Sequence, residues 1–252
     1  MLAAPPNVLV IAASDPTGGA GLQADILTLA SLGCHPLSVL TAFTVQNTHG
    51  VEALHSLPAA ELTAQARCVL ADAPALAIKI GVVGSAANAQ AIAELLAAHP
   101  QVPVVLDPVL ASARGDALGD EGTLQALRSL LLPRATVATP NSIEARALGG
   151  AEGLLALGCR YVLVTGTHEP GDEVVNTLYG AGGVVREDRW PRLPGSYHGS
   201  GCTLASAIAA RLAHGDAVPE AVRRAQDYTW CALKRGYRPG TGQHVPDRLH
   251  AR

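Results

Sequence analysis

Lysine is nearly absent from this 252-residue chain: 16 of its 18 basic residues are arginine, leaving only Lys79 and Lys234. Charged residues amount to 15% and the net charge is -3, with the basic residues scattered. Neither a nucleic-acid surface nor a membrane-binding patch is expected from such a pattern. Aromatics are scarce, at two Trp, five Tyr and one Phe, and Met1 is the sole methionine. The five cysteines, at 34, 68, 159, 202 and 231, are odd in number and contain no C-x-x-C pair. A disulfide framework or a zinc site is a poor reading of that spacing, and a reducing compartment, the cytoplasm, a better one. The N-terminus lacks the basic stretch of a secretion signal. Its apolar run, Val8 to Ala13, is too short to cross a membrane.

What is present is apolar mass. Hydrophobic residues make up 48% of the chain, mostly Ala, Leu and Val, enough for a full core. Asn7 to Ala13 is a continuous apolar run that ends in a glycine-rich polar loop, the mark of a buried strand. Leu22, Ile26, Leu29 and Ala30 then recur at helical spacing. Further strands are predicted at 36–45, 51–57, 75–80, 102–106, 135–138 and 161–165. Helices are predicted at 59–71, 85–98, 121–131, 202–213 and 219–234, with a short one after Asn141. Residues 174–179 and 184–189 read as a hairpin around Gly182-Gly183. This alternation predicts an α/β fold with a mainly parallel central sheet covered by helices on both faces. No linker or internal repeat interrupts it, so residues 1–252 read as one domain. The strands end in polar residues (Asp15, Asp107, Asn141, Thr165), which points to a site at the sheet's carboxyl edge.

The segment Tyr197-His198-Gly199-Ser200-Gly201-Cys202 runs straight into a helix-forming stretch. Glycines on both sides of a hydroxyl residue let backbone N–H groups converge at a helix N-terminus, where an anion is stabilised. Cys202 falls in the first turn, where the helix field favours thiolate. The same residues also make an ordinary turn with Ser200 as helix cap and a buried cysteine, and the local sequence leaves both readings open.

Seven fragments in order, covering nearly the whole chain, resemble the ribokinase-like fold and in particular bacterial hydroxymethylpyrimidine/phosphomethylpyrimidine kinases of thiamin synthesis. They are Ser14-Asp15-Pro16-Thr17-Gly18-Gly19-Ala20-Gly21-Leu22-Gln23-Ala24-Asp25, Thr41-Ala42, Gln46-Asn47-Thr48, Lys79-Ile80-Gly81, Leu106-Asp107-Pro108-Val109, Thr139-Pro140-Asn141 with Glu144, and His198 to Leu204. The resemblance implies ATP-dependent phosphorylation of an aminopyrimidine, with Mg²⁺, by a homodimer. It implies substrate contacts at Gly19, Asp25, Gln46 and Val109 and ATP contacts at Asn141, Thr165, Thr167 and Cys202. Metal ligation falls to Asp107 and Glu144, and catalysis to Gly199, Ser200, Gly201 and Cys202. A planar carboxamide such as that of Gln46 suits a ring nitrogen and its neighbouring exocyclic amine. Asn141 and Glu144 also have the spacing of a capping box, and Lys79, after an apolar strand, needs a buried anion.

Three departures stand out. Thr165 occupies the position of a lysine expected near the ATP phosphates, leaving Arg114 as a candidate cation. The stretch from Ala147 to Gly158 is shorter than in relatives, and Val82 replaces a methionine. Thr165 and the short 147–158 stretch motivate a weakened pyrimidine-binding protein as one alternative; a pyridoxine/pyridoxal kinase, which the resemblance implies would share the fold and the chemistry, is the other. Cys202→Ala is expected to collapse kcat while ATP binding survives; near-normal turnover would remove Cys202 from the mechanism.

Overall fold

The computed structural model describes residues 4–109 and 119–250. Nine strands form one sheet: β1 (Asn7–Ser14), β2 (His35–Asn47), β3 (Gly50–Ser56), β4 (Ala77–Ile80), β5 (Val104–Leu106), β6 (Val137–Ala138), β7 (Tyr161–Thr165), β8 (Glu173–Gly180) and β9 (Gly183–Pro191). Their order is β3-β2-β1-β4-β5-β6-β7-β8-β9. The six strands from β2 to β7 pair in parallel, while β3 at one edge and β8–β9 at the other are antiparallel.

The helices are α1 (Gly21–Ser31), α2 (Ala59–Asp72), α3 (Ala86–Ala98), α4 (Glu121–Ala126), α5 (Ser142–Ala147), α6 (Gly150–Ala156), α7 (Ser200–Ala213) and α8 (Val218–Lys234). They cover both faces. Alternation along β1 divides the core, because successive side chains point to opposite sides. Leu9 and Ile11 pack with α2, α3 and α6, whereas Val8, Val10 and Ala12 pack with α1, α7 and α8. With so few aromatics, the second layer is filled by alanine: Ala205, Ala207, Ala209 and Ala210 are all fully buried on α7. Small side chains let that helix lie close to the sheet, and its N-terminus therefore reaches the strand ends.

Two local expectations change. The helix predicted over 121–131 is α-helical only to Ala126; it continues as a wider π turn over Leu127–Leu131 and a 3-10 turn over Leu132–Arg134. Pro133, which lacks an N–H, ends the regular hydrogen bonding there. The short stretch after Ala147 still holds a helix, α6. Gly149 and Gly150, both with positive φ, turn the chain out of α5 and directly into it.

Beneath the strand ends lies a fully buried ion pair. Lys79 Nζ on β4 sits 2.9 Å from both carboxylate oxygens of Asp25 on α1, and Ser206 Oγ on α7 donates to Asp25 Oδ1 at 2.7 Å. The anion that Lys79 requires thus comes from a helix, not from a neighbouring strand end. Lys79→Met should cost about 3–5 kcal/mol, since it strands a buried carboxylate. Urea denaturation should show most of that loss recovered in the double variant Lys79→Met/Asp25→Leu; equal losses in both would refute the pairing.

Candidate active site

The parallel strands β1, β5, β6 and β7 all end at one cavity of about 820 Å³. Ser14 and Asp15 line it after β1, Asp107 after β5, Thr139 and Asn141 after β6, and Thr165 at the end of β7. Strand order reverses between β1 and β4, where crevices form at the carboxyl edge of such sheets. Gln46 and Val109, Thr167, Glu144, and the turn Gly199 to Cys202 line the same cavity. One chamber therefore gathers most of the predicted residues, drawn from all parts of the chain.

The turn before α7 is built on Gly199, whose φ of 78° places it in the left-handed region. A Cβ there would collide with the Gly19 carbonyl oxygen, so the close approach of the two loops also requires glycine. Gly199 occupies the N-cap and no side chain caps the helix; Ser200 is the first helical residue and not the cap. Among the described residues the amides of Ser200, Gly201 and Cys202, first-turn donors of α7, have no hydrogen-bond partner, and all three residues line the cavity. Such donors are suited to a phosphoryl group. Asp107 lies directly against this turn, 3.5 Å from where a Gly201 Cβ would stand.

The electrostatics of this corner are set by burial. Asp107 is 5% exposed, and burial pushes its pKa up to about 6; Lys79 opposes the rise and Asp25 adds to it. Thr139 Oγ1 approaches Asp107 Oδ1 at 3.5 Å. Burial likewise drives the Cys202 thiol up to about 11, with the Lys79 ammonium pulling the other way. Against the thiolate that the helix field favours stands this burial, the largest influence on the Cys202 thiol, which favours the thiol at neutral pH. Asp15 behaves differently. Burial raises its pKa, but hydrogen bonds from His198 (Nε2 to Oδ2, 2.8 Å) and Thr17 prevail and hold it below the usual carboxylate value.

Two predicted substrate contacts do not reach the cavity. Asp25 is fully buried with its oxygens taken by Lys79 and Ser206, so it supports the site from below. Gly19 is buried under the His198 ring, where its missing side chain makes room. Glu144 lines the cavity, yet it realises the capping box: Asn141 N–H donates to Glu144 Oε2 at 2.9 Å, and Asn141 Oδ1 accepts from the amides of Ile143 and Glu144. Capping thus engages Glu144 Oε2 and Asn141 Oδ1, on residues that the resemblance links to metal and nucleotide. Arg114 lies outside the described residues. Among the described residues no cluster of three or more His, Cys, Asp or Glu could hold a metal ion.

Three features were not anticipated from the sequence. Trp190 and Trp230 line the cavity with ring centroids 6.1 Å apart, and Trp190 Nε1 donates to Gln226 Oε1 at 3.1 Å. Arg192, at the end of β9, also lines it and binds the carbonyls of Thr167, Glu169 and Gly171 at 2.6–2.8 Å, ordering the loop that carries Thr167. Arg248 ties two loops together from behind. No sequence signal marks these residues, because their partners are mostly backbone carbonyls or residues distant in the chain.

A family model described as phosphomethylpyrimidine kinase matches residues 15–247. This chain belongs to that family. It is 44% identical to a hydroxymethylpyrimidine/phosphomethylpyrimidine kinase of Streptomyces coelicolor, over 94% of this chain and 92% of the relative. A second relative of that name, from Mycobacterium leprae, is 40% identical over 96% and 93%. Among solved structures, a phosphomethylpyrimidine kinase of Clostridium difficile 630 matches at 35% identity with a TM-score of 0.79, covering 90% of this chain and 99% of that one. A Staphylococcus aureus pyridoxal kinase, solved with pyridoxal, superposes with a TM-score of 0.89 at 28% identity, covering 98% and 94%. The fold is thus ribokinase-like, as the motif series implies, and this kinase-family chain is a phosphotransferase.

The raised Asp107 pKa has a consequence for stability. Folded Asp107 holds its proton more tightly than unfolded Asp107, so the cost of charging it appears between about pH 4 and pH 6 and persists above. Without added divalent cation, Asp107→Asn should be more stable than the parent at pH 7, by on the order of 2 kcal/mol, and lose that advantage at pH 4. Urea titrations at the two pH values test this; a difference independent of pH would refute it.

Proposed function

We propose that this chain uses MgATP to phosphorylate the hydroxymethyl group of 4-amino-5-hydroxymethyl-2-methylpyrimidine, and then the resulting monophosphate to the diphosphate, in thiamin biosynthesis. The observation that carries the reading is the uncapped first turn of α7, beside buried Asp107, at one end of a chamber that also holds Gln46. Phosphoryl transfer depends mainly on positioning and charge stabilisation, and backbone donors supply both. Amides that grip the transferred group serve an alcohol acceptor and a phosphate acceptor equally well.

The carboxamide of Gln46 orients the pyrimidine ring, with Val109 lining the same chamber. Asn141, Thr165 and Thr167 border the nucleotide side, where Arg192 holds the Thr167 loop. Asp107, with Glu144 on the cavity wall, would hold Mg²⁺; the metal neutralises phosphate charge when bound. Asp107 fits that role because it is a nearly buried carboxylate whose one ammonium neighbour among the described residues, Lys79, is already paired with Asp25. Cys202, resting as a thiol, would act by lining the acceptor end and would give up its proton only as charge develops. The five cysteines are all unpaired, which supports the cytoplasm. The β2–β3 hairpin, with Phe43 47% and Val45 45% exposed, would supply part of a homodimer contact.

An ADP-release assay with the pyrimidine, its monophosphate and pyridoxal in parallel tests this function. Turnover is expected with the first two, and Gln46→Leu should lower kcat/KM for the pyrimidine by about 100-fold. Preferred turnover of pyridoxal would overturn the substrate assignment, and tight pyrimidine binding without ADP release would overturn the kinase itself.

A further inference from the structure

Arg248 is 3% exposed, and among the described residues its guanidinium reaches four acceptors, none a carboxylate. Nη1 donates to the Gly18 carbonyl at 3.3 Å, and Nη2 to the carbonyls of Gly19 and, at 3.5 Å, Gly199. Nε donates to Thr203 Oγ1 at 3.0 Å, and that hydroxyl donates in turn to the Gly199 carbonyl at 2.8 Å. The planar fork therefore spans the loop after β1 and the turn before α7. Its own backbone is anchored to α8: Tyr228 OH donates to the Arg248 carbonyl at 2.6 Å, and Asp247 N–H to Ala232 at 2.9 Å.

Burying a guanidinium without a carboxylate is expensive, and a staple between carbonyls needs donors but not a full charge. The placement of the charge gives it a use. It sits behind the N-terminus of α7, where it adds to the partial positive charge that the helix presents to an anion. Ala20, Gly21 and Gly199 to Cys202 face the cavity from the two loops, whereas Arg248 does not line it. Its influence must pass through them.

We propose that Arg248 is a positioning residue for phosphoryl transfer, locking the Gly18-Gly19 loop to the Gly199 turn and so fixing where the amides of Ser200, Gly201 and Cys202 aim. This rests on the kinase reading, but the clamp itself is testable without it. Misplacing pre-aimed donors raises the barrier to the chemical step and leaves ring recognition at Gln46 unaffected.

The test compares Arg248→Met, which keeps the stem and loses the fork, with Arg248→Lys, which keeps a charge on a single donor. The Met variant is expected to lose about 100-fold or more in kcat, with pyrimidine KM within about threefold of the parent. The Lys variant should recover about tenfold of that loss. Amide hydrogen exchange should quicken in peptides covering 18–21 and 199–203 of the Met variant and stay unchanged in β4. A Met variant with kcat within about threefold of the parent, or a loss confined to KM, would overturn the proposal. If the Met variant does not fold, parental kcat in the Lys variant overturns it and a fall of about tenfold at unchanged KM supports it. If the parent phosphorylates neither pyrimidine, the kinase reading fails on its own; unchanged exchange at both glycine segments would then overturn the clamp.

Discussion

The ion pair between Lys79 and Asp25 is the constraint on which the site rests. It joins β4 to α1 directly and reaches α7 through Ser206. A fully buried charge pair is tolerated only where every partner is in place, which fixes how α1 and α7 lie on the sheet. The N-terminus of α7 must then arrive beside the ends of β1, β4 and β5. The same ammonium lies within electrostatic reach of Asp107 and Cys202, moderating the cost of their burial. Half of the near-absent lysine thus goes to one interior position. Its charge holds the active corner together without meeting solvent.

Above that pair, the chamber is made by two glycine-rich loops that approach more closely than side chains permit. The Gly199 turn stands against the Gly19 carbonyl, and Gly201 stands against Asp107. With few side chains at these contacts, the loops present backbone amides and a few buried polar groups to the chamber. Desolvation is the dominant physical effect in this corner. It lifts Asp107 and Cys202 toward their neutral forms, and leaves Asp15 charged only because His198 and Thr17 bond to it. A cation arriving with nucleotide would meet a carboxylate that gains from pairing.

Much of the fold was legible because strong periodicity needs no partner to be read. The run Val8 to Ala13, the hairpin around Gly182-Gly183 and the α8 pattern each reflect local burial on a regular element. The pieces that escaped depend on other forces. The π turn over Leu127–Leu131 precedes a proline and packs into the core, and α6 emerges only because two adjacent glycines adopt positive φ. In the site, Gln46 and Asp107 were visible as polar residues at the ends of apolar runs, and the 199–202 turn as glycines flanking a hydroxyl before a helix-forming stretch. The pairing of Asp25 with Lys79 leaves no local trace, because a carboxylate near a glycine loop looks the same whether it meets ligand or a buried lysine. Arg192 and Arg248 were invisible, since a long side chain that seeks carbonyls leaves no pattern in sequence.

Local stretches of chain carry the layered α/β architecture, the family motifs and the order in which site residues arrive. Burial alternation and short ordered motifs are properties of local chain segments, and they can be read one at a time. Packing in three dimensions sets which groups share a neighbour: Asp25 with Lys79, Glu144 with the Asn141 amide, Arg248 with both glycine loops. It also decided the charge states of Asp107 and Cys202. Those depend on how much water is excluded and which charges stand within a few ångströms, quantities that exist only once distant segments have packed together.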